Sequence, residues 1–293
     1  MLTSIRGLSA ATFYAGILFS GAPAFASDDD VVTLEASAAE GADTAYSGET
    51  LIGPIDRATA PVDQADLSAL QADGEADSSL SFSANVTLAT EYRFRGVALT
   101  DGNMAIQGGF DFSHDSGLYV GTWASNLDED TVGYGSAELD IYGGWSGDLT
   151  DGFGINVGAI AYVYPDAGPG EFDYYEVYGS TTFGLGPASL TAGVAYAFEQ
   201  ESLGGTDNFY VYSDLGVGIP GTPLTATGHI GYTDGFLTFT EDSNAIDWSV
   251  GVEAAFGPLT ASVAYVGVEG DPLIDPNGTF TDDAVVASIT ASF

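Results

Sequence analysis

Positive charge is scarce in this chain, and half of it is concentrated at one place. The sequence has no lysine and only four arginines against 42 acidic residues, for a formal net charge of −38, yet EYRFRG at residues 91–96 sets Arg93 and Arg95 two positions apart behind Glu91. Arginines interleaved with carboxylates can neutralise one another in a confined space, or set up a transverse field that orients polar solutes and selects ions. Other chemistries find less support. Acyl transfer through a Ser/His/carboxylate set needs a histidine to take the nucleophile's proton, and the sequence has two histidines, His114 and His229, with no GxSxG and no HExxH. The absence of cysteine excludes disulfides, thiolate metal sites and cysteine nucleophiles. Carboxylates cluster in NLDEDTVGYGSAELD (126–140) and EGDPLIDPNGTFTDD (269–283), which offer the hard oxygen ligands of calcium without the spacing of a calcium-binding loop. These read as solvated acidic loops, with loop cations bridging to lipopolysaccharide as the alternative. No cofactor is implied, and so large an acidic excess opposes nucleic-acid binding, which needs phosphates neutralised by Lys and Arg.

The elements that must position these residues are strands. Forty glycines, 16 tyrosines and 17 phenylalanines suit strands and turns, so the fold expected is all-β. Residues 1–26 carry Arg6, a short apolar stretch and an Ala24-Phe25-Ala26 ending, the pattern of a signal peptide removed on export. Residues 27–80 hold 13 of the acidic residues and few large apolar groups, the composition of a disordered acidic periplasmic linker.

From residue 81 to Phe293 the texture changes to segments of about ten residues with apolar and polar positions alternating. Twelve such segments can be counted, from 82–94, 105–112, 118–125 and 137–145 through to 246–256, 259–268 and 284–293. The connections alternate in length. Short turns such as SHDSG and IPGTP follow every second strand, and longer acidic loops follow the others. An even number of strands with short turns at one end and long loops at the other is the pattern of a transmembrane antiparallel β-barrel of the outer membrane of a Gram-negative bacterium. A soluble β-sandwich gives no reason for it. The last strand, AVVASITASF, ends on Phe293 and resembles the terminal signal by which outer-membrane proteins reach the barrel assembly machinery.

Strand parity turns Glu91, Arg93 and Arg95 toward the lumen at the end of the first strand, with Tyr92 and Phe94 toward the bilayer interface. The same parity points Glu138, Asp140, Glu176 and Asp247 inward at comparable heights, and these seven residues form the candidate constriction. His229 shares the inward parity of Thr225 and Thr227. Trp123, Trp145, Tyr196, Phe198, Tyr232, Trp248 and Phe256 fall near strand ends, where aromatic girdles meet lipid headgroups. Twelve strands lie between the filled eight-stranded barrels and the open porins, so a narrow or partly plugged lumen is expected.

Residues 91–128, EYRFRGVALTDGNMAIQGGFDFSHDSGLYVGTWASNLD, resemble the opening of the TorF-type porin family, exported proteobacterial outer-membrane proteins long labelled as of unknown function. The shared elements are YRFRG, a Thr-Asp turn, IQGGFD and G-x-Y-x-G-x-W-x-S-N. The chain departs from that pattern at Met104, where the family often has proline, and in its acidic stretch 27–80. The resemblance implies a channel and carries over neither substrate nor catalytic residue. The function expected is therefore a passive pore for small hydrophilic solutes, favouring cations. The alternative is a non-conducting structural or surface-interaction barrel that displays acidic loops. Its surroundings would be outer-membrane lipids and lipopolysaccharide, and the sequence specifies no oligomer.

Overall fold

The computed structural model describes residues 79–293 except 132, 169, 171 and 274–278. The expected signal peptide (1–26) lies outside the described residues, as does the expected linker (27–80) up to residue 78. Strand β1 (Leu80–Ala89) is followed by two short strands, β2 (Arg93–Phe94) and β3 (Val97–Ala98). Then come β4 (Ala105–His114), β5 (Leu118–Asn126), β6 (Ala137–Thr150), β7 (Phe153–Val163), β8 (Tyr174–Gly184) and β9 (Ala188–Gln200). β10 (Thr206–Gly218), β11 (Leu224–Gly235), β12 (Asn244–Phe256), β13 (Leu259–Glu269) and β14 (Ala284–Ser292) complete the set.

Twelve of these strands form one closed antiparallel barrel, each paired with its sequence neighbours, and β1 closes the ring against β14. β2 and β3 pair only with each other. Closure leaves no strand edge unpaired, the condition for a sheet to stand in a medium that offers no hydrogen bonds. At the seam Phe293 N donates to Ala84 O at 2.8 Å and Ala84 N returns a bond to Phe293 O at 3.0 Å. Inside the seam the Thr87 and Thr290 hydroxyls meet at 2.8 Å.

The alternation read from sequence sorts the side chains as expected. Val86, Val120, Ile141, Val250 and Ile289 stand exposed on the outer wall, while Thr87, Gln107, Asn156 and Thr225 are buried inside. Each short turn, following β4, β6, β8, β10 and β12, contains a glycine at positive φ, from 59° at Gly257 to 87° at Gly117, a conformation that costs other residues. Both the first and the last barrel strands begin or end at this short-turn end. No helix among the described residues is long and apolar enough to cross a membrane.

The long connections fold back across the opposite mouth. Tyr134, in the loop after β5, lies tilted against Tyr164 at 4.3 Å between ring centroids and meets Phe172 and Phe239 edge-on at 5.8 and 6.1 Å. Phe239 in turn meets Phe280 at 5.6 Å. Four loops thus share one aromatic lid. A polar contact ties two of them: Ser136 N donates to both Asp166 carboxylate oxygens at 3.2 Å, and the Ser136 hydroxyl donates to Oδ2.

Two outcomes follow from these contacts. Thr290→Val leaves the buried Thr87 hydroxyl without its partner and is expected to cost about 1–3 kcal/mol in denaturant unfolding of the refolded barrel. Thr87→Val added to it should cost less than the two single changes summed, because the orphan is removed with its partner. The Ser136 bonds hold the Asp166 carboxyl below its usual range. A depressed carboxyl stabilises above its unfolded value, near pH 4, and the contribution is lost as pH falls through the lowered folded value. Amide exchange at Ser136, corrected for intrinsic rates, should therefore quicken below roughly pH 4 and lose that dependence in Asp166→Asn.

Candidate functional site

The first strand is shorter than its alternation suggests. β1 stops at Ala89, and EYRFRG leaves the wall to enter the lumen as the β2–β3 hairpin. Its ends are tied by Leu99 N to Tyr92 O at 2.9 Å and Tyr92 N to the Thr100 hydroxyl at 2.9 Å. Arg93 pairs with Ala98 and Phe94 with Val97, so Arg95 and Gly96 form a two-residue turn, with φ of 47° and 83°. Positive φ at both central positions is the mark of the tight hairpin turn that usually takes Asn-Gly. The expectation that Tyr92 and Phe94 face the bilayer interface is thereby overturned. Both are 4% exposed inside the barrel. A hairpin turning off the wall breaks the period-two parity that assigned them outward.

The hairpin reaches across the lumen. Tyr92 packs edge-on against Trp123 at 5.4 Å and its hydroxyl donates to Glu138 Oε1 at 3.0 Å. Trp123, expected in the girdle, is an inward residue of β5 and 2% exposed. At the far side the Gly96 backbone lies against β12 and β13, where an added Cβ would come within 2.7 Å of Val268 Cβ and 3.0 Å of Asp247 Cβ. Ala98 N donates to Phe280 O at 2.9 Å, so the lid covers the hairpin from above.

Six of the seven candidate positions fall into three pairs, and the seventh stands apart. Arg95 Nη2 donates to Glu176 Oε1 and Oε2 at 3.0 and 2.8 Å, and its guanidinium carbon lies 4.3 Å from the Tyr210 ring centroid and 4.8 Å from that of Phe94. The Tyr162 hydroxyl adds a bond to Glu176 Oε2 at 3.2 Å. Arg93 and Glu91 pair within the loop at 3.2 Å, and Arg93 Nη1 also donates to Gly96 O at 2.9 Å. Glu138 accepts from Tyr92 and, at 3.4 Å, from the Tyr164 hydroxyl, with Asp140 fully buried two residues along β6. Asp247 belongs to a further array. Its Oδ1 stands 2.8 Å from His229 Nε2 and 3.1 Å from the Tyr210 hydroxyl, while His229 Nδ1 stands 2.8 Å from Asp214 Oδ1.

Left-handed backbone at an arginine costs about 1–2 kcal/mol. Parting a buried carboxylate from its cation costs roughly 3–5 kcal/mol. The ion pair therefore dominates and pins the turn in place. Glu176 and Arg95 have side chains 1% and 2% exposed, so neither charge has water to fall back on.

Tyr210, Tyr212, Asp214 and His229 belong to the constriction although parity alone singled out only His229. The missed signal was the pairing of inward tyrosines with inward glycines. An added Cβ at Gly231 would lie 2.3 Å from the Tyr210 hydroxyl and 2.6 Å from Asp247 Oδ2, and one at Gly193 would lie 2.4 Å from the Tyr212 ring. Gly144 and Gly158 are crossed in the same way by Tyr119 and Tyr178. Each glycine lets a neighbouring ring lie along the wall, and the Tyr119 and Tyr178 hydroxyls meet over that floor at 2.6 Å.

As to metal, no group of three or more His, Cys, Asp or Glu side chains among the described residues is placed to hold an ion. Both ring nitrogens of His229 are engaged, Nδ1 with Asp214 and Nε2 with Asp247 and the Tyr210 hydroxyl.

Comparison with known proteins places this geometry. A family model described as "Bacterial protein of unknown function (Gcw_chp)" matches residues 73–293. Among solved structures, the NanC porin aligns over 72% of this chain and 98% of its own at 11% identity, with a TM-score of 0.51. The KdgM porin in complex with disordered oligogalacturonate aligns over 72% and 99% at 9% identity, with a TM-score of 0.50. LpxR from Salmonella typhimurium aligns over 72% and 99% at 10% identity, with a TM-score of 0.39. The superpositions on the first two establish a shared barrel fold and nothing finer. A comparison with curated proteins finds no sequence match.

Because Tyr210 is held between Arg95 and Tyr212, whose ring stacks at 5.5 Å, it has no room to retreat from a new side chain on Gly231. Gly231→Val should lower unfolding stability by about 1–3 kcal/mol. Gly179→Ala is the control: its Cβ would meet nothing nearer than 3.5 Å, and it should leave the unfolding midpoint close to wild type.

Proposed function

The chain belongs to the Gcw_chp family of bacterial proteins of unknown function, and for this member we propose a passive outer-membrane channel for small hydrophilic solutes that favours cations. The observation that carries the reading is a closed barrel with an apolar outer wall and a polar, carboxylate-rich interior, narrowed by its own first loop. An outer wall bearing Val120, Ile141, Val250 and Ile289 exposed suits contact with lipid acyl chains. The fold shared with porins supports the same location, as does the resemblance of residues 91–128 to TorF-type porins. The β1–β14 closure through Phe293 is consistent with delivery by the barrel assembly machinery.

Charge supports the preference for cations. The only arginines in the barrel region are Arg93 and Arg95, both paired with carboxylates, against 29 acidic residues in 81–293. A solute such as the oligogalacturonate bound by KdgM is a polyanion and would meet the wrong sign of field here, so its passage is not proposed for this chain. Rings of one sign favour the opposite ion.

A non-conducting barrel is the second reading, favoured by the tight packing at the hairpin, where Arg95, Glu138 and Glu176 are at most 3% exposed. Gel mobility tests the membrane barrel that both readings share, and conductance decides between them. Unboiled outer-membrane fractions should migrate faster than boiled ones on a gel. In planar bilayers the reversal potential under a salt gradient should take the sign of cation preference; anion preference would overturn the selectivity, and absence of any conductance or of liposome swelling would favour the second reading.

A further inference from the structure

Apart from the Phe94 ring beside it on the hairpin, the groups described around the Arg95 guanidinium come from the barrel wall. Glu176 on β8 supplies two carboxylate oxygens at 2.8 and 3.0 Å, and the Tyr162 hydroxyl on β7 steadies one of them at 3.2 Å. Tyr210 on β10 lays its ring 4.3 Å from the guanidinium carbon. Tyr210 is fixed from behind, through its hydroxyl, by Asp247 at 3.1 Å and His229 at 2.9 Å. Tyr162 is fixed by stacking on Tyr174 at 4.4 Å. A flat cation against an aromatic face with its N–H groups on a carboxylate is the geometry a guanidinium satisfies and a compact, strongly hydrated ammonium does not. The occupant, by contrast, sits at the tip of a hairpin in left-handed backbone, at the end of the lumen from which the long loops enter.

We propose that this wall seat is a binding site for small guanidinium-bearing solutes, which Arg95 occupies as an internal stand-in until such a solute displaces it. That these solutes also pass through rests on the channel reading; that they bind does not. Displacement passes Glu176 directly from one guanidinium to another, so the buried carboxylate keeps a cation, while the freed Arg95 has to withdraw with its hairpin tip toward the acidic long loops and Arg93 stays with Glu91.

The test empties the seat without straining the turn. Glycine is at ease at the φ of 47° found at position 95, so Arg95→Gly deletes the guanidinium and, with it, the backbone strain that the ion pair had to hold, and Arg95→Asn serves as a second variant suited to the same turn. Thermal unfolding of the detergent-solubilised barrel is followed by heat-dependent gel mobility with millimolar guanidinium chloride or with potassium chloride at the same ionic strength. Guanidinium should raise the midpoint of either variant, potassium should not, wild type should gain less because Arg95 competes for the seat, and adding Glu176→Gln should abolish the rescue. Equal effects of the two salts, or rescue that survives Glu176→Gln, would overturn the proposal and leave Arg95 a scaffold residue. Should neither variant assemble, wild-type permeability decides: guanidinium should enter liposomes several-fold faster than tetramethylammonium, and equal entry would sink the site while leaving the channel standing. A barrel that conducts nothing yet shows the rescue would keep the site and remove the channel.

Discussion

A charge brought into a barrel lumen has little water to return to, and the Arg95–Glu176 pair is where this chain meets that constraint. The pair holds a strained turn, the turn holds a hairpin, and the hairpin divides the lumen beneath the lid of the long loops. Its strength comes from confinement: the same two groups on an open surface would contribute a small fraction of what parting them costs here. Everything around the pair serves to keep it satisfied. Tyr162 completes the carboxylate's hydrogen bonds and Tyr210 covers the guanidinium. Asp247 and His229 hold Tyr210 in place.

Glycine makes this packing possible at so small a circumference. A twelve-stranded ring leaves too little width for tyrosines to point straight inward from every wall, and the inward glycines on adjacent strands let the rings lie flat instead. Tyr210 across Gly231 and Tyr212 across Gly193 are the pairs nearest the constriction, and Tyr119 and Tyr178 repeat the arrangement across Gly144 and Gly158. The high glycine and tyrosine content therefore has a specific lumen role beyond a general preference for strands.

Much of the architecture was legible because it rests on local periodicities. Alternation gave the twelve strands, and alternating connection lengths gave the two ends of the barrel. The inward parity of Glu138, Asp140, Glu176, Asp247 and His229 follows from the same rule. What parity could not reveal was where it ceases to apply. Residues 91–96 continue the alternation of β1 without a break, so Tyr92 and Phe94 read as outward; only the Arg95-Gly96 turn signals a departure, and arginine is a rare first residue for such a turn. Trp123 misled in a related way, since a tryptophan near a strand end fits a girdle as well as a lumen contact, and its partner Tyr92 is distant in sequence. The His229 array escaped for the same reason: Asp214, His229 and Asp247 sit on three different strands, and register alone brings them together.

On the channel reading proposed above, the first long loop, folded inward, sets the width of the passage. Single-channel conductance compared between wild type and a variant in which residues 93–98 are replaced by a short Gly/Ser turn tests it most directly. A stable barrel with clearly larger conductance is expected once the hairpin is gone; equal conductance in the two barrels would remove the hairpin from any part in the pore.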